Sequence, residues 1–429
     1  MTTIKATFLT MLLAAGVGAV TSSGRETEDF RTDINPALRY YQAFILTPEL
    51  TPAERDYLFD RDWRGQKLPE KLGELVGRYD SQFRIVREAV HATVPCDWGI
   101  DMTPGPATLL PHLARNKAIQ QMARLRAMWD LQQGKQAEAR DDLLAAFELS
   151  RHCAGDGTLI SMLVQIAGEN IVCSAIAENF HQFSPQTLQQ LAEGLEAAPP
   201  RTTAADCIQT EKAFFIGWLE RKIVAAQTAN PGNDGAVMAG IHELVTSMEG
   251  PPEGQTNAPQ QNTWERLNRA AGGTSDGVLR LLHETTALYD RFAVILELPL
   301  SQYEEAAQQF SAEIEGSKNP LASLGFPAVL KCRQKEFAIL EELAMVRAAI
   351  EFKLRGEEGF KSVHDPCGQG PFEFERFVFG GIDRGFEIKS AYAGRGYQEA
   401  LIFVEKDGVP FHINGPKIGQ PVAKTSGKP

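Results

Sequence analysis

Eight histidines and six cysteines are spread through 429 residues, and their spacing first decides which chemistry the chain lacks. His242-Glu243 and His283-Glu284 each begin like the zinc-binding helix of a metalloprotease. Thr246 and Ala287 stand where the second ligand histidine is required, so neither pair makes a metal site. A Gly-x-Ser-x-Gly hydrolase elbow is not expected, and no Walker loop or dinucleotide fingerprint is present. Gly380-Gly381 falls between two strand-like segments, with no helix behind it to receive a phosphate. The acidic stretch from Gln302 to Glu315 could pair carboxylates for glycoside chemistry. Tyr303, Ala306, Phe310 and Ile314 make it an amphipathic surface helix instead. The residues point to no catalytic group, cofactor or metal.

The cysteines are Cys96, Cys153, Cys173, Cys207, Cys332 and Cys367. None forms a Cys-x-x-Cys pair or a zinc-like spacing with histidine. Cys173 falls inside an apolar run and reads as a small core residue. Cys96 and Cys367, in the turn-like contexts Pro95-Cys96-Asp97 and Pro366-Cys367-Gly368, are the candidate disulfide cysteines.

Four polar residues lie where burial would make them matter. Gln165, Glu169 and Asn170 interrupt the most apolar run after the N-terminus, Thr158–Ala177. Glu211 sits on an otherwise apolar helix, exposed or paired to an arginine. Together they form the candidate buried polar site, with Glu169 the first place to look.

These residues need a scaffold, and the scaffold reads as helical. Asn35-Pro36 and Thr51-Pro52-Ala53-Glu54 each place a capping side chain before a proline or an acid, a helix start. Leu68–Val90 keeps a 3.6-residue apolar period. Pro95–Pro111 is a loop whose Trp98 plugs a core. Lys117–Gln133 and Gln136–Arg151 form a helical hairpin, followed by the Thr158–Ala177 run as a buried central helix. Further helices are expected over Gln186–Ala198, Ala205–Gln227, Asp276–Glu297, Ser301–Ile314 and Pro327–Arg355. From Asp365 the period changes, and Phe372–Phe379, Gly385–Tyr392 and Glu399–Glu405 read as an antiparallel meander.

The fold class is therefore mainly α: an irregular multi-helix bundle around a buried central helix, with a small C-terminal three-stranded antiparallel β unit. The expected divisions are a signal peptide or N-terminal anchor over 1–23 and a helical domain over 30–357 with a flexible loop at 249–262. A β unit over 363–412 and a polar tail over 413–429 complete the chain.

The N-terminus carries Lys5, the apolar run Ala6–Val20 and small residues after it, the pattern of an export signal too short for a comfortable membrane span. A periplasmic or secreted location follows as an expectation, with inner-membrane anchoring as the variant. The formal charge of −12 excludes nucleic acid as a partner, since phosphate contact needs a clustered positive field.

Gly134, Ala139, Leu143, Ala146 and Phe147 are spaced as in the second half of a tetratricopeptide repeat. Asp130 stands where that repeat has an aromatic, and no further copies follow, so the resemblance implies one hairpin and not an array. Asp365-Pro366, Gly368, Pro371-Phe372 and the later Ile388-Lys389-Ser390 resemble the C-terminal β-segment of type II secretion pseudopilins. Cys367 replaces its aromatic and the acidic residues after the serine are absent, so neither a pilus subunit nor a calcium site is implied. The whole resembles a group of uncharacterised exported, mostly helical bacterial proteins. Such a chain is expected to be a non-enzymatic scaffold or interaction protein with an envelope protein as partner. Two alternatives stay open: a periplasmic hydrolase whose carboxylates and histidines meet only in space, and a carrier of a small ligand or lipid beside the central helix.

Overall fold

The computed structural model describes residues 33–248, 263–368, 370–391 and 398–406. The apolar N-terminal run, the 249–262 loop, the Ala393–Gly396 turn and the tail lie outside the described residues. The chain divides into residues 1–34 and a body, Asn35–Pro429. The body is mainly α with one small sheet, as the sequence pattern predicts.

The body opens with α1 (Pro36–Ile45), α2 (Pro52–Phe59), α3 (Glu70–Gly77) and α4 (Asp80–Val90). Asn35 caps α1 by accepting the Ala37 N–H at 3.0 Å, and Thr51 and Glu54 close a reciprocal capping box on α2. The expected single helix over Leu68–Val90 is in fact two, broken at Arg78-Tyr79. The apolar period runs through the break because both pieces bury the same face: Leu72, Leu75 and Val76, then Phe83, Val86 and Ala89.

Next come α5 (Pro111–Gln132) and α6 (Gln136–Cys153), the predicted hairpin, with α5 starting at Pro111 and not at Lys117. Gly134 turns the chain at φ 72°, and Lys135 N–H reaches back to the Asp130 carbonyl at 2.8 Å. The central helix is α7 (Leu159–Glu178). It is long and apolar enough to cross a membrane, yet its apolar side chains do not all go inside. Ile160 is 54% exposed, whereas Ser161, Gln165 and Glu169 are fully buried alongside Met162, Val172, Cys173 and Ile176. Each fully buried large apolar side chain contributes about 1.5–3 kcal/mol before ordering entropy is set against it.

The chain continues through α8 (Pro185–Ala197), α9 (Ala204–Glu211), a π-helical segment at Lys212–Gly217 and α10 (Trp218–Ala229). Then follow α11 (Asp234–Met248), α12 (Thr263–Ala270), α13 (Ser275–Leu296) and α14 (Leu300–Glu315). The last helix, α15 (Ala322–Lys361), is broken at Gly356, where φ is 67°. It packs on α7 and α8 and carries the sheet: β1 (Glu373–Phe379), β2 (Ile382–Lys389) and β3 (Ala400–Val404), antiparallel in that order. The sheet is not a separate body. Phe180 after α7, Phe352 and Phe360 of α15, and Phe374, Phe386 and Phe403 of the strands form one aromatic cluster with ring centroids 4.9–6.3 Å apart.

All six cysteines are free thiols. Cys96 and Cys367 form no bridge with each other or with another cysteine.

Candidate functional site: a buried charge cluster beneath an apolar cavity

The four candidate polar residues do not converge on one site; each ties the central helix to a different part of the chain. Gln165 pairs with the backbone of Thr202, accepting its N–H at 3.1 Å and donating to its carbonyl at 3.2 Å. Asn170 donates to Glu342 of α15 at 2.6 Å. Glu211, at the end of α9, accepts the Leu159 N–H at 2.9 Å, placing a carboxylate on the N-terminus of α7. Burial pushes the Glu211 carboxyl up against that hydrogen bond.

Glu169 is the charged centre. It is completely buried, with Arg151 Nε 2.6 Å from one oxygen and Arg201 Nη2 donating to the other at 2.8 Å. Arg151 is the last-turn arginine of α6, and Pro199-Pro200 stop α8 so that Arg201 turns inward. Two guanidinium groups thus share a single carboxylate. Burial lowers the Arg151 pKa, the Glu169 charge opposes that, and Arg201 adds to it by like-charge repulsion. Burial raises the Glu169 pKa while both arginines pull it down. Arg201 Nε and Nη1 are buried and make no hydrogen bond. Nearby Glu336 of α15 carries its own arginine, Arg333 at 2.8 Å, and accepts the Ala204 N–H at 3.1 Å. Glu342, bound by Asn170, is a further carboxylate beside Cys173 and Glu169.

Above this cluster lies a cavity of about 320 Å³, lined by Phe147 and Arg151 of α6, Ala192 and Leu195 of α8, and Leu343, Ala344, Val346 and Ile350 of α15. Its rim carries the Glu196–Arg347 ion pair. Arg151 lies over the Phe147 ring, 4.9 Å from its centroid, so the cavity is apolar on its walls and cationic on one side.

A second cleft, of about 740 Å³, opens at the far end of the hairpin between Gly65–Leu68, the end of α5, and Glu178–Gln182. Its glutamines already hold loops in place: Gln132 pairs with the backbone of Leu68, and Gln136 with Gln182 and Ser184. His181 and Glu178 both line it, but Glu178 is bound by Arg124 at 2.6 Å, and no serine, threonine or cysteine faces the cleft. A third basin, of about 440 Å³, gathers Asp80, Arg84, Arg87, Arg126, Asp130, Lys135 and Glu138. Arg126 there donates to Asp80 and to fully buried Asp142. Burial and Asp142 push the Asp130 carboxyl up to about 6.

His112 and His152 are used in packing. His112 stacks on Trp98 and lies 3.5 Å from Asp156; His152 Nδ1 and the Tyr40 hydroxyl share a hydrogen bond of 2.7 Å. The buried thiol of Cys153, hydrogen-bonded to Asn116, lies close by. A cysteine, a histidine and an aspartate thus meet in space, a grouping the sequence spacing does not disclose. Burial pushes that thiol up to about 12, and it does not line the three cavities described above.

The hydrolase pattern requires a correction. Gly273-Thr274-Ser275-Asp276-Gly277 does spell Gly-x-Ser-x-Gly. It follows α12, not a strand, and Thr274 caps α13 by accepting the Gly277 N–H. Ser275 is buried, donating to Asp234 and accepting from Gln227 at 2.8 Å. It is a helix start without a histidine.

Compared with protein-family models, curated proteins and solved structures, the chain matches none.

Proposed function

We propose that this protein is a non-catalytic, exported helical scaffold that binds a cell-envelope partner, and that the cavity between α6, α8 and α15 is where the partner inserts. The carrying observation is the pairing of apolar walls with Arg151, whose cluster holds two guanidiniums to one carboxylate. Such a cavity favours an apolar group bearing a carboxylate, because the anion meets the Arg151 guanidinium while the tail leaves water. Carriage of a small apolar anion is the second reading. It is favoured by the 320 Å³ volume, at the lower end of the ~300–1,000 Å³ typical of small-molecule sites.

Ala192→Trp fills the cavity without touching Arg151. The full chain and this variant are to be immobilised and exposed to envelope extract, with octanoate and octanol titrated in parallel. Partner capture lost in Ala192→Trp supports the scaffold, and octanoate binding that octanol does not reproduce supports carriage. Identical capture by both proteins, with no octanoate binding, overturns both.

A further inference from the structure

Where α15 meets the β unit, Glu341, Asp365 and Cys367 bring two carboxylate oxygens and a sulfur within 4.8 Å of one another. Glu341 is fully buried and Asp365 nearly so, while Cys367 is only partly buried, leaving a way in from solvent. Asp365 and Ser390 of the pseudopilin-like pattern, and Cys367 that departs from it, thus meet a glutamate from a distant helix.

The donors around the two carboxylates are unequal. Asp365 accepts N–H groups from Cys367 and Ala391, both at 2.9 Å, and lies 2.8 Å from Ser390 Oγ. Ser390 Oγ is also 2.8 Å from Glu341 Oε1. One hydroxyl has one proton and cannot donate to both. Asp365 has two N–H donors besides, and Glu341 has the Cys367 thiol. Burial pushes the Glu341 carboxyl up to about 7, with Asp365 and Glu399 adding to the rise. Glu341 Oε2 is buried and no directed hydrogen bond reaches it; only the Cys367 thiol leans on this carboxyl. That thiol is itself pushed strongly up by burial and by Glu341. Acidic groups crowd this spot, and one buried carboxylate oxygen there, Glu341 Oε2, has no directed donor.

We propose that Glu341, Asp365 and Cys367 form a binding site for a thiophilic divalent cation of the zinc class. On binding, Cys367 gives up its thiol proton to solvent and coordinates as the thiolate beside the two carboxylates. The sulfur ligand selects against calcium and magnesium, which take oxygen. In a tetrahedral site with metal–ligand bonds of ~2.0–2.3 Å the ligand atoms are ~3.3–3.8 Å apart, so closure from the present spacing is a shift of about an ångström. The half-buried side of Cys367 leaves the fourth position to water. The metal joins α15 to the loop before β1.

The test uses the reduced full-length protein and Cd²⁺ as probe. The expected results are a thiolate-to-cadmium ultraviolet band at one equivalent and proton release, read by calorimetry in buffers of different ionisation enthalpy. Cys367→Ser is expected to remove the band. Glu341→Gln, whose amide can replace the carboxyl beside Ser390 and so keep the fold, is expected to weaken Cd²⁺ at least tenfold. Should Glu341→Gln fail to fold, Cys367→Ala carries the same comparison. An unchanged band in Cys367→Ser, unchanged affinity in Glu341→Gln, or no band in the parent protein overturns the proposal.

Discussion

Glu169 shows how a single residue can hold a fold together at the cost of a buried charge. Removing one partner of a buried ion pair leaves the others stranded in low dielectric, which costs about 3–5 kcal/mol. Glu169→Gln is therefore expected to lower stability by about that much in urea unfolding. The triple replacement of Glu169, Arg151 and Arg201 by methionine should cost less than the single one; a larger cost would show that the charges are net stabilising. His152 supplies a pH signature. Burial holds its pKa down at about 4 against 6.5 for an ordinary histidine, and its Nδ1 shares a hydrogen bond with Tyr40. Between those values the unfolded chain binds the extra proton, so this contribution is intact above pH 6.5 and is lost as pH falls toward 4. The stability difference between the parent and His152→Asn should shrink by about 3 kcal/mol over that window. A difference that stays flat with pH would refute the assignment. At this scale the sequence was partly legible. Glu169 stands out because an acid in an apolar run needs a partner, but nothing in the spacing names Arg151 or Arg201.

Helices were legible where caps and periodicity agree, and obscure where packing overrides them. Asn35-Pro36 and Thr51–Glu54 start helices as their chemistry requires. The break at Arg78-Tyr79 escapes notice because the buried face continues across it, and α12 escapes because an eight-residue helix with one buried leucine leaves little pattern. The π-helical segment at Lys212–Gly217 has no sequence signature at all. Gly168 separates propensity from packing. A Cβ there would lie 2.2 Å from Ser150 Oγ and 2.3 Å from Gln120 Nε2, so α5, α6 and α7 approach through this point. Helix propensity alone favours Gly168→Ala by about 1 kcal/mol. Overpacking predicts the reverse, a loss of about 1–3 kcal/mol, and thermal unfolding decides between them. Glu211→Gln, which weakens the carboxylate at the start of α7, should cost about 0.5–2 kcal/mol in the same measurement.

Across the whole molecule, the sequence discloses which residues go inside but not which distant ones meet. The fold class follows from period and turn chemistry, whereas the joining of the sheet to α7 and α15 depends on rings that no local pattern links. Phe352→Ala is expected to lower the melting temperature seen by near-ultraviolet and far-ultraviolet dichroism together; separate transitions would mean that the sheet folds apart. One feature bears on time and not on stability. Asn170 of α7 finds its partner 172 residues later, at Glu342; Glu196 waits 151 residues for Arg347, and the Ala204 N–H waits 132 for Glu336. A chain growing from its N-terminus makes its central helix long before the helix that closes over it. Until α15 arrives, α7 has an open flank, and the folding barrier includes the entropy of closing those loops. Completion therefore waits for nearly the whole chain, and the last long helix sets the clock.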